Sequence, residues 1–352
     1  MHRGDACAGA LVLQWQSFYA CIRGEGMSPL EAIDKMAGQP VLVIGDMIAD
    51  IYLYGNISRI SREAPVLVLE QSHEKVVAGG AANVINNAAT LGGKVFAAGL
   101  VGDDSGADGL VEILSGRGVD VRGFVRDAGR PTISKTRIVA GGRTTVSQQI
   151  VRVDKESREP MPPDCERQLE AYLSEVLPKV KGVVLSDYGS GTITDGLLAQ
   201  IFSYCRKHGI PTIVDSRYDI FRFKTVDYIK QNDAELAAAV GRQLETEDEL
   251  IEAGRELLAR MEAKGALITR GEDGMTLFQK DGSVAHIPVT DKSEVYDVSG
   301  AGDTCVATVI LGLAAGVEPV LASRLSNEAS SIAVRKMGTA VVSADELRSK
   351  FR

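Results

Sequence analysis

The sequence predicts an α/β fold in which a doubly wound, mostly parallel β-sheet is covered by helices on both faces, giving three layers. From residue 41 onward, short apolar runs alternate with segments of helical periodicity. Such alternation is typical of parallel sheets joined by right-handed helical crossovers. Two regions interrupt it with strand-like segments that have no helix between them, and these predict a small additional sheet.

Five apolar runs are predicted to be buried parallel strands: 41–45, 95–101, 183–186, 212–214 and 266–269. Helical patterns lie near residues 80–91, 105–116, 164–177, 193–208, 246–263, 301–315 and 319–335. Sheets of this kind bind ligands at the carboxyl ends of their strands. Polar residues follow several of these ends directly, namely Asp46, Asp187, Asp215, Asn232 and Arg270. We therefore expect a site along that edge.

The two interruptions are segments 51–57 with 66–70, and a predicted hairpin of 132–140 with 146–153 around Gly141, Gly142 and Arg143. If they pair with each other, they form a small sheet beside the main one. We assign the segments of this small sheet as about 51–70 and 131–154, within one domain of residues 39–352.

Composition limits the classes of function. The 352-residue chain has no uninterrupted apolar stretch of about 18 residues, and its formal charge of −8 comes without basic clusters. A membrane span and nucleic-acid binding are therefore not expected. The five cysteines are scattered without metal-binding spacing, and the four histidines lie outside every motif, which fits a reduced, cytoplasmic protein.

Residues 1–38 form an N-terminal extension whose role the sequence leaves open. Segment 11–22 is apolar but interrupted by polar residues, and is a poor signal peptide. Residues 27–31 have the composition of a helix start. The biological chain either begins at Met27, or the extension is a genuine helix that packs on the domain.

The most informative motif is Asp-Val-Ser-Gly-Ala-Gly-Asp-Thr at residues 297–304, which precedes an apolar run that ends at Gly316. The run predicts a buried helix with residues 300–303 at its N-terminus, where free N–H groups and the helix dipole favour phosphate. A carboxylate in such an anion site suits a base that deprotonates an attacking hydroxyl. The alternative is a glycine-rich turn in which Asp303 only caps the helix.

Two further motifs strengthen the functional interpretation. Gly-Gly-Ala-Ala-Asn at residues 79–83 opens a predicted helix, and Asn-Asp-Ala-Glu at residues 232–235 opens another. In this order and at this spacing, the three motifs resemble the ribokinase-like (PfkB) family of sugar kinases. The resemblance extends from about residue 40 to the C-terminus.

The resemblance implies that Asp303 is the catalytic base and that Gly300, Ala301 and Gly302 form the anion hole for the transferred phosphate. It further implies a sugar site that contains Gly79, Gly80 and Asn83, together with Asp50 as the aspartate that grips sugar hydroxyls. Asp46 is expected to shape the turn after the first strand.

The resemblance also implies ATP and Mg²⁺ as cofactors, with Asn232 and Glu235 organising the metal, Glu235 through water. The alternative for this pair is a helix capping box, and both roles are compatible. Nucleotide contacts are expected at Thr269, Arg270, Gly271, Gly274, Asn327, Lys336 and Gly338. A monovalent cation such as K⁺ is expected near Asp297.

Within the family, the chain is similar to the heptose 7-phosphate kinases of lipopolysaccharide-precursor synthesis. Segment 58–66, Ser-Arg-Ile-Ser-Arg-Glu-Ala-Pro-Val, resembles their Ser-Arg-Ile-Ser-Pro-Glu-Ala-Pro-Val, and 148–154 and 186–188 also fit. Ser190 and Arg217 stand where these kinases usually have lysines, and Lys230 is gained. The alternatives are a kinase for a hexose, hexose phosphate or nucleoside, or a non-catalytic relative that binds a sugar or nucleotide.

Charge bears on whether the acceptor is already phosphorylated. If the predicted hairpin pairs symmetrically, Lys135, Arg137 and Arg152 share one face, because alternate residues of a strand point the same way. The family resemblance implies that the small sheet is a lid over the sugar site, and three cations on such a lid suit a sugar phosphate. The alternative is a solvated strand face. The partner is therefore expected to be a small sugar or sugar phosphate, and the family resemblance implies a homodimer formed through the lid.

Overall fold

The computed structural model describes residues 26–141, 147–292 and 295–352. The predictions for residues 1–25, and for Gly142, Arg143 and Val146 in the hairpin, lie outside these residues. The strands are β1 (Pro40–Gly45), β2 (Met47–Ile60), β3 (Leu67–Gly80), β4 (Lys94–Gly102), β5 (Asp120–Asp127), β6 (Ile133–Gly141), β7 (Gln148–Lys155), β8 (Gly182–Asp187), β9 (Thr212–Ser216), β10 (Tyr228–Asn232), β11 (Gly265–Thr269), β12 (Met275–Gln279) and β13 (Val284–Ile287).

The helices are α1 (Pro29–Met36), α2 (Ala81–Thr90), α3 (Ser105–Ser115), α4 (Pro163–Val176), α5 (Asp195–His208), α6 (Asp233–Val240), α7 (Glu247–Met261), α8 (Ala301–Ala314), α9 (Pro319–Ala333) and α10 (Ala344–Ser349). Helix α1 begins where the composition of residues 27–31 indicated, and Ser28 and Glu31 form a capping box there. All seven predicted helices are present.

Nine strands form the main sheet in the order β13-β12-β11-β10-β9-β8-β1-β4-β5. Seven are parallel, and the antiparallel pairs β11–β12 and β12–β13 lie at one edge. The predicted mostly parallel sheet is confirmed, although β5, β12 and β13 were not expected and β10 was indicated only by Asn232 at a strand end. Since β10, β9, β8 and β1 are consecutive neighbours, the polar residues at their carboxyl ends lie along one edge.

Helices cover both faces of this sheet, as the apolar pattern predicts. Along β1, Val41 and Val43 belong to one core, while Leu42 and Ile44 belong to the other. The first core packs against α2, α8 and α9, and the second against α4, α5 and α7. A strand that buries both of its faces has to be continuously apolar, which explains the run at 41–44.

The second sheet has four strands in the order β3-β2-β6-β7. Strands β2 and β3 pair antiparallel from Met47↔Gly80 to Ile60↔Leu67, so each is longer than the predicted segments 51–57 and 66–70. Strand β2 starts two residues after β1 ends, and β3 leads directly into α2. The second sheet is thus attached to the main domain close to the first two sugar-site motifs.

A membrane-spanning helix was not expected, and the part of the chain that the structure describes contains none of sufficient length and apolarity.

Candidate active site

The N-terminus of α8 forms the centre of the site. The helix begins at Ala301, and Gly300 precedes it with a φ of 80°, a left-handed conformation that favours glycine. A Cβ atom on Gly300 would also lie 2.5 Å from the Nδ2 atom of Asn83. No side chain caps the helix. The N–H group of Ala301 donates to the carbonyl of Val298 at 3.3 Å, while those of Gly302 and Asp303 remain available to an anion.

Asp303 lies in this first turn and is only 6% exposed. Its Oδ2 atom accepts a hydrogen bond of 2.7 Å from Asn83 Nδ2, and its Oδ1 atom accepts one of 3.1 Å from the Tyr188 hydroxyl. Burial raises the pKa of Asp303 to about 6, against the opposing effect of the bond from Asn83. A buried carboxylate with such a pKa is mostly ionised at pH 7 and suits a general base.

Lys230 supplies a cation beside the helix N-terminus. Its Nζ atom lies 2.8 Å from Asp215 Oδ2, and both side chains are largely buried. A Cβ atom on Gly302 would come within 2.6 Å of that Nζ atom, so a larger residue there would displace the ammonium from its present position. Burial acts to lower the pKa of Lys230, but Asp215 and Glu235 outweigh it and the pKa is raised. Lys230 is therefore charged.

Asn232 and Glu235 form the capping box that the sequence left as an alternative. Asn232 Oδ1 accepts the N–H of Glu235 at 2.7 Å, and Glu235 Oε2 accepts the N–H of Asn232 at 2.8 Å. Burial raises the pKa of Glu235. Among the described residues, Glu235 Oε1 and Asn232 Nδ2 have no hydrogen-bond partner, so the cap leaves a carboxylate oxygen free for a hydrated cation.

The acceptor side lies where the second sheet meets the main domain. Asp50 is 4% exposed, and Gly79 lies so close that a Cβ atom there would be 2.5 Å from Asp50 Oδ2. Asp50 Oδ1 accepts a hydrogen bond of 2.6 Å from Arg137 Nη1. Gly80 precedes α2, whose first turn carries Asn83. The structure thus places the first-strand aspartate and the glycine-asparagine motif together.

The three lid cations share one face, as the symmetric hairpin predicts. Arg137 is directly opposite Arg152 in the β6–β7 pair, and Lys135 is two residues away on the same strand. Their partners differ: Arg137 is paired with Asp50, and Arg152 binds Asp154 with two hydrogen bonds of 2.8 and 2.9 Å. Within the described residues, Lys135 has no carboxylate partner.

Sequence reasoning gave no role to Tyr188, although it noted the Ser-Asp-Tyr segment. Asp46 fixes this segment, since its carboxylate accepts the N–H groups of Tyr188, Ser190 and Thr192. Asp46 therefore shapes a turn, but it is the turn after β8 and not the turn after the first strand that was expected. The sequence analysis noted Lys230 only as a residue that differs from the related kinases. Its position two residues before Asn232, at a strand end, was the signal that could have placed it in the site.

A cavity of about 310 Å³ adjoins the helix N-terminus. Four of the residues expected to contact nucleotide line it, as do two residues of the anion hole: Thr269, Gly271, Gly274, Asn327, Ala301 and Gly302. Three others do not. Arg270 pairs with Glu247, Lys336 pairs with Glu346, and Gly338 donates its N–H to Asp297 Oδ2 at 3.0 Å.

Comparison with known proteins identifies the family. Residues 39–346 match the sequence profile described as pfkB family carbohydrate kinase. The chain belongs to the pfkB family. As a pfkB carbohydrate kinase it is an ATP-dependent enzyme that phosphorylates a sugar, and the cavity beside the helix N-terminus lies where two glycine loops and Asn327 meet.

Relatives and solved structures agree with the assignment. The chain is 41% identical to the bifunctional protein HldE of Geobacter sulfurreducens over 87% of this chain and 61% of that protein. It is also 41% identical to HldE of Azorhizobium caulinodans over 88% of this chain and 64% of that protein. The chain therefore spans less than two thirds of the length of these relatives.

Two solved structures share the fold. Ribokinase of Arabidopsis thaliana, complexed with ribose and ATP, has a TM-score of 0.68 at 21% identity and covers 89% of this chain and 98% of its own. Phosphofructokinase-2 of Escherichia coli, complexed with potassium, has a TM-score of 0.68 at 22% identity and covers 89% and 97%. The pfkB kinase therefore has the ribokinase-like fold that its motifs predicted.

Proposed function

We propose that this pfkB kinase transfers the γ-phosphoryl group of ATP to the anomeric hydroxyl of a heptose 7-phosphate, giving a heptose 1,7-bisphosphate. The observation that carries the proposal is a buried carboxylate, Asp303, at the N-terminus of a helix that also lines a cavity of about 310 Å³. Through Tyr188, which bonds Asp303 and lies under Lys135, the same carboxylate is linked to the cationic face of the second sheet. The heptose is favoured by the similarity of segments 58–66 and 148–154 to heptose 7-phosphate kinases.

In the proposed reaction, Asp303 accepts the proton of the acceptor hydroxyl. The oxygen of that hydroxyl bonds to the γ-phosphorus, and ADP leaves. The hydrogen bond from Asn83 fixes the carboxylate, so the base keeps one orientation. The N–H groups of the first turn of α8 and the ammonium of Lys230 stabilise charge on the transferred group, since fixed donors contribute most in a buried site.

Asn232 and Glu235 fit a role in binding Mg²⁺ through water, because the capping box engages only Oε2 of Glu235 and leaves Oε1 free. When bound, Mg²⁺ neutralises charge on the ATP phosphates. Asp297, which accepts the N–H groups of Ser299 and Gly338, supports a monovalent cation such as K⁺ at the adjoining loop.

We further propose that the second sheet is a lid over the acceptor and the contact surface of a homodimer. Four of its apolar side chains and one in the loop between β2 and β3 are exposed, and exposed apolar side chains on a sheet favour association. Those in the sheet are Ile60, Leu67, Val151 and Val153, and the one in the loop is Val66. Of the three cations on the inner face, Lys135 and Arg137 would hold the acceptor's phosphate, whereas the expected role of Arg152 is weakened because its guanidinium is already bound to Asp154.

The test is an ATP-consumption assay with Mg²⁺ over heptoses, hexoses, their phosphates and nucleosides. The expected result is the highest kcat/KM with a heptose 7-phosphate and little turnover with the unphosphorylated sugar. Equal or better use of a free hexose or nucleoside would contradict the heptose phosphate assignment and leave a kinase for another sugar. Omission of Mg²⁺ is expected to abolish turnover with every acceptor.

A further inference from the structure

Tyr188 forms a hydrogen bond with the carboxylate oxygen of Asp303, the proposed base, that Asn83 does not contact. Its hydroxyl donates to Asp303 Oδ1 at 3.1 Å, whereas Asn83 donates to Oδ2. In the described part of the chain, no third side chain donates to this carboxylate. The structure therefore shows a base with both oxygens engaged, one of them by a hydroxyl group that resembles an acceptor alcohol.

The position of Tyr188 is fixed by contacts from separate elements. Its backbone N–H donates to Asp46 Oδ2 at 2.7 Å, which anchors the residue at the end of β1. Lys135 of the second sheet lies over its ring, with Nζ 5.5 Å from the ring centre. Tyr188 thus lies between the face that would hold the acceptor and the base that would deprotonate it.

The Tyr188 hydroxyl acts as a donor and keeps its proton. Burial raises its pKa well above the usual value, and the charge of Asp303 acts in the same direction. Because the hydroxyl stays protonated, it does not take a proton from Asp303 at neutral pH. An acceptor alcohol that binds Asp303 Oδ1 would replace it with a group of the same kind, a neutral hydroxyl donor.

We propose that Tyr188 is a positioning residue whose hydroxyl holds Asp303 Oδ1 until the acceptor hydroxyl takes its place, and that it thereby limits transfer of the phosphoryl group to water. The inference rests on the proposed role of Asp303. Phosphorylation of water is the side reaction that a kinase with bound ATP has to suppress, and an occupied base leaves no oriented partner for a water molecule.

The suppressed reaction is ATP hydrolysis. The oxygen of a water molecule bonds to the γ-phosphorus, the bond from this phosphorus to the β–γ bridging oxygen breaks, and ADP leaves with that oxygen. The proton of the water passes to Asp303. Without the Tyr188 hydroxyl, Oδ1 is free to orient that water, so hydrolysis is expected to rise while acceptor phosphorylation changes less.

The test compares Tyr188→Phe with wild type and with Tyr218→Phe, a nearby tyrosine that is 70% exposed and serves as the matched control. ADP release is measured without acceptor and divided by kcat with acceptor. This ratio is expected to rise about tenfold in Tyr188→Phe, as for loss of one hydrogen bond to a charged group, and to stay unchanged in Tyr218→Phe. An unchanged ratio in a Tyr188→Phe protein that melts like wild type overturns the proposal.

Tyr188→Leu removes the ring as well as the hydroxyl. A rise in the ratio with Leu but not with Phe would assign the effect to the ring and its contact with Lys135, which also overturns the proposal. The combined variant Tyr188→Phe/Asp303→Asn is expected to lose the added hydrolysis. If the double variant keeps the added hydrolysis, Tyr188 does not act through Asp303. This outcome is independent of the single Asp303→Asn variant, which tests whether Asp303 is the base for phosphoryl transfer to the acceptor.

A pH profile separates positioning from a general loss of structure. The charged groups that face Asp303 are Asp215 of β9 and Lys230 of β10, and both remain in Tyr188→Phe. Because the Tyr188 bond lowers the pKa of Asp303, its removal is expected to shift the acidic limb of the kcat/KM profile to higher pH. An unshifted limb contradicts the proposed contact.

Discussion

The guanidinium group of Arg137 lies 2.6 Å from the carboxylate of Asp50, and the two side chains are 17% and 5% exposed. They come from neighbouring strands of the second sheet, and Arg137 also lies over the ring of Tyr52. The residue expected to hold sugar hydroxyls is therefore paired with a lid cation. Arg137 could bind the phosphate of a phosphorylated acceptor as a second anion, close to the carboxylate of Asp50.

Arg137→Ala is expected to raise the KM for a phosphorylated acceptor roughly ten- to a hundredfold, because a hydrogen bond to a charged group contributes about 1.5–3 kcal/mol. Arg152→Ala is the matched control on the opposite strand. Its guanidinium is 48% exposed and already bound to Asp154, so a smaller effect is expected. Steady-state kinetics with both substrates checks this, and the KM for ATP should change little. Equal effects of the two variants would contradict the assignment.

Asp303→Asn is expected to reduce kcat by about 10²–10⁴-fold, since this is the usual contribution of a general base. The amide oxygen can still accept the hydrogen bond from Asn83, so the fold and ATP affinity should persist. Single-turnover kinetics and calorimetric titration of ATP measure the two properties separately. A variant that retains near-full kcat would remove Asp303 from the reaction.

The pKa of Asp303, raised to about 6 by burial, predicts the direction of the pH dependence. A base works only when ionised, so kcat/KM should rise with pH, reach half of its plateau near pH 6 and level off above it. Stability should move in the opposite direction: the raised pKa favours the protonated form in the folded state, and this contribution is lost as pH rises through about 6. Rate profiles and urea unfolding at several pH values test both signs.

Lys230→Met is expected to lower kcat and also the free energy of unfolding, because it leaves Asp215 buried without its partner. Breaking a buried pair costs about 3–5 kcal/mol. Lys264→Met is the matched control, since Lys264 forms a pair of the same length, 2.8 Å, with Asp227 but is 63% exposed. An exposed pair contributes about 0–1 kcal/mol.

The double variant Lys230→Met/Asp215→Leu separates stability from catalysis. It should recover most of the lost unfolding free energy, because neither charge is left alone, while kcat stays low. Urea unfolding and kinetics on the same samples check this. Recovery of kcat in the double variant would show that Lys230 has no role at the anion site.

Much of this fold follows from local patterns. Residues 41–44 are buried on both sides of one strand, which only a continuous apolar run allows, and Asn232 with Glu235 caps α6 as its spacing indicates. The edge strands β12 and β13 were missed because they are short and lie beyond the last parallel strand. The extent of β3 was missed because its middle, residues 70–75, is polar and exposed, so alternation carries no signal there.

The site was predictable where a motif lies on one element, and less so where elements converge. Gly300 to Asp303 are consecutive and form the start of a single helix. Tyr188 and Lys230 reach the same point from β8 and β10, and their convergence depends on strand order, which a single sequence does not contain. The ion pairs of Arg270 and Lys336 likewise depend on tertiary neighbours, Glu247 and Glu346.

The continuity of β3 with α2 has a mechanical consequence. Asn83, which orients the base, is three residues from the end of a strand that extends outward for 14 residues, and Asp46, which anchors Tyr188, lies between β1 and β2. The other two connections of the second sheet, β5–β6 and β7–α4, are longer, so a tilt of the sheet acts most directly on these two short junctions. The second sheet thus pivots next to the residues that hold Asp303, and an acceptor that fixes the orientation of this sheet also fixes the orientation of Asp303. By linkage, substitutions at Gly79 or Gly80 should change acceptor affinity and base alignment together.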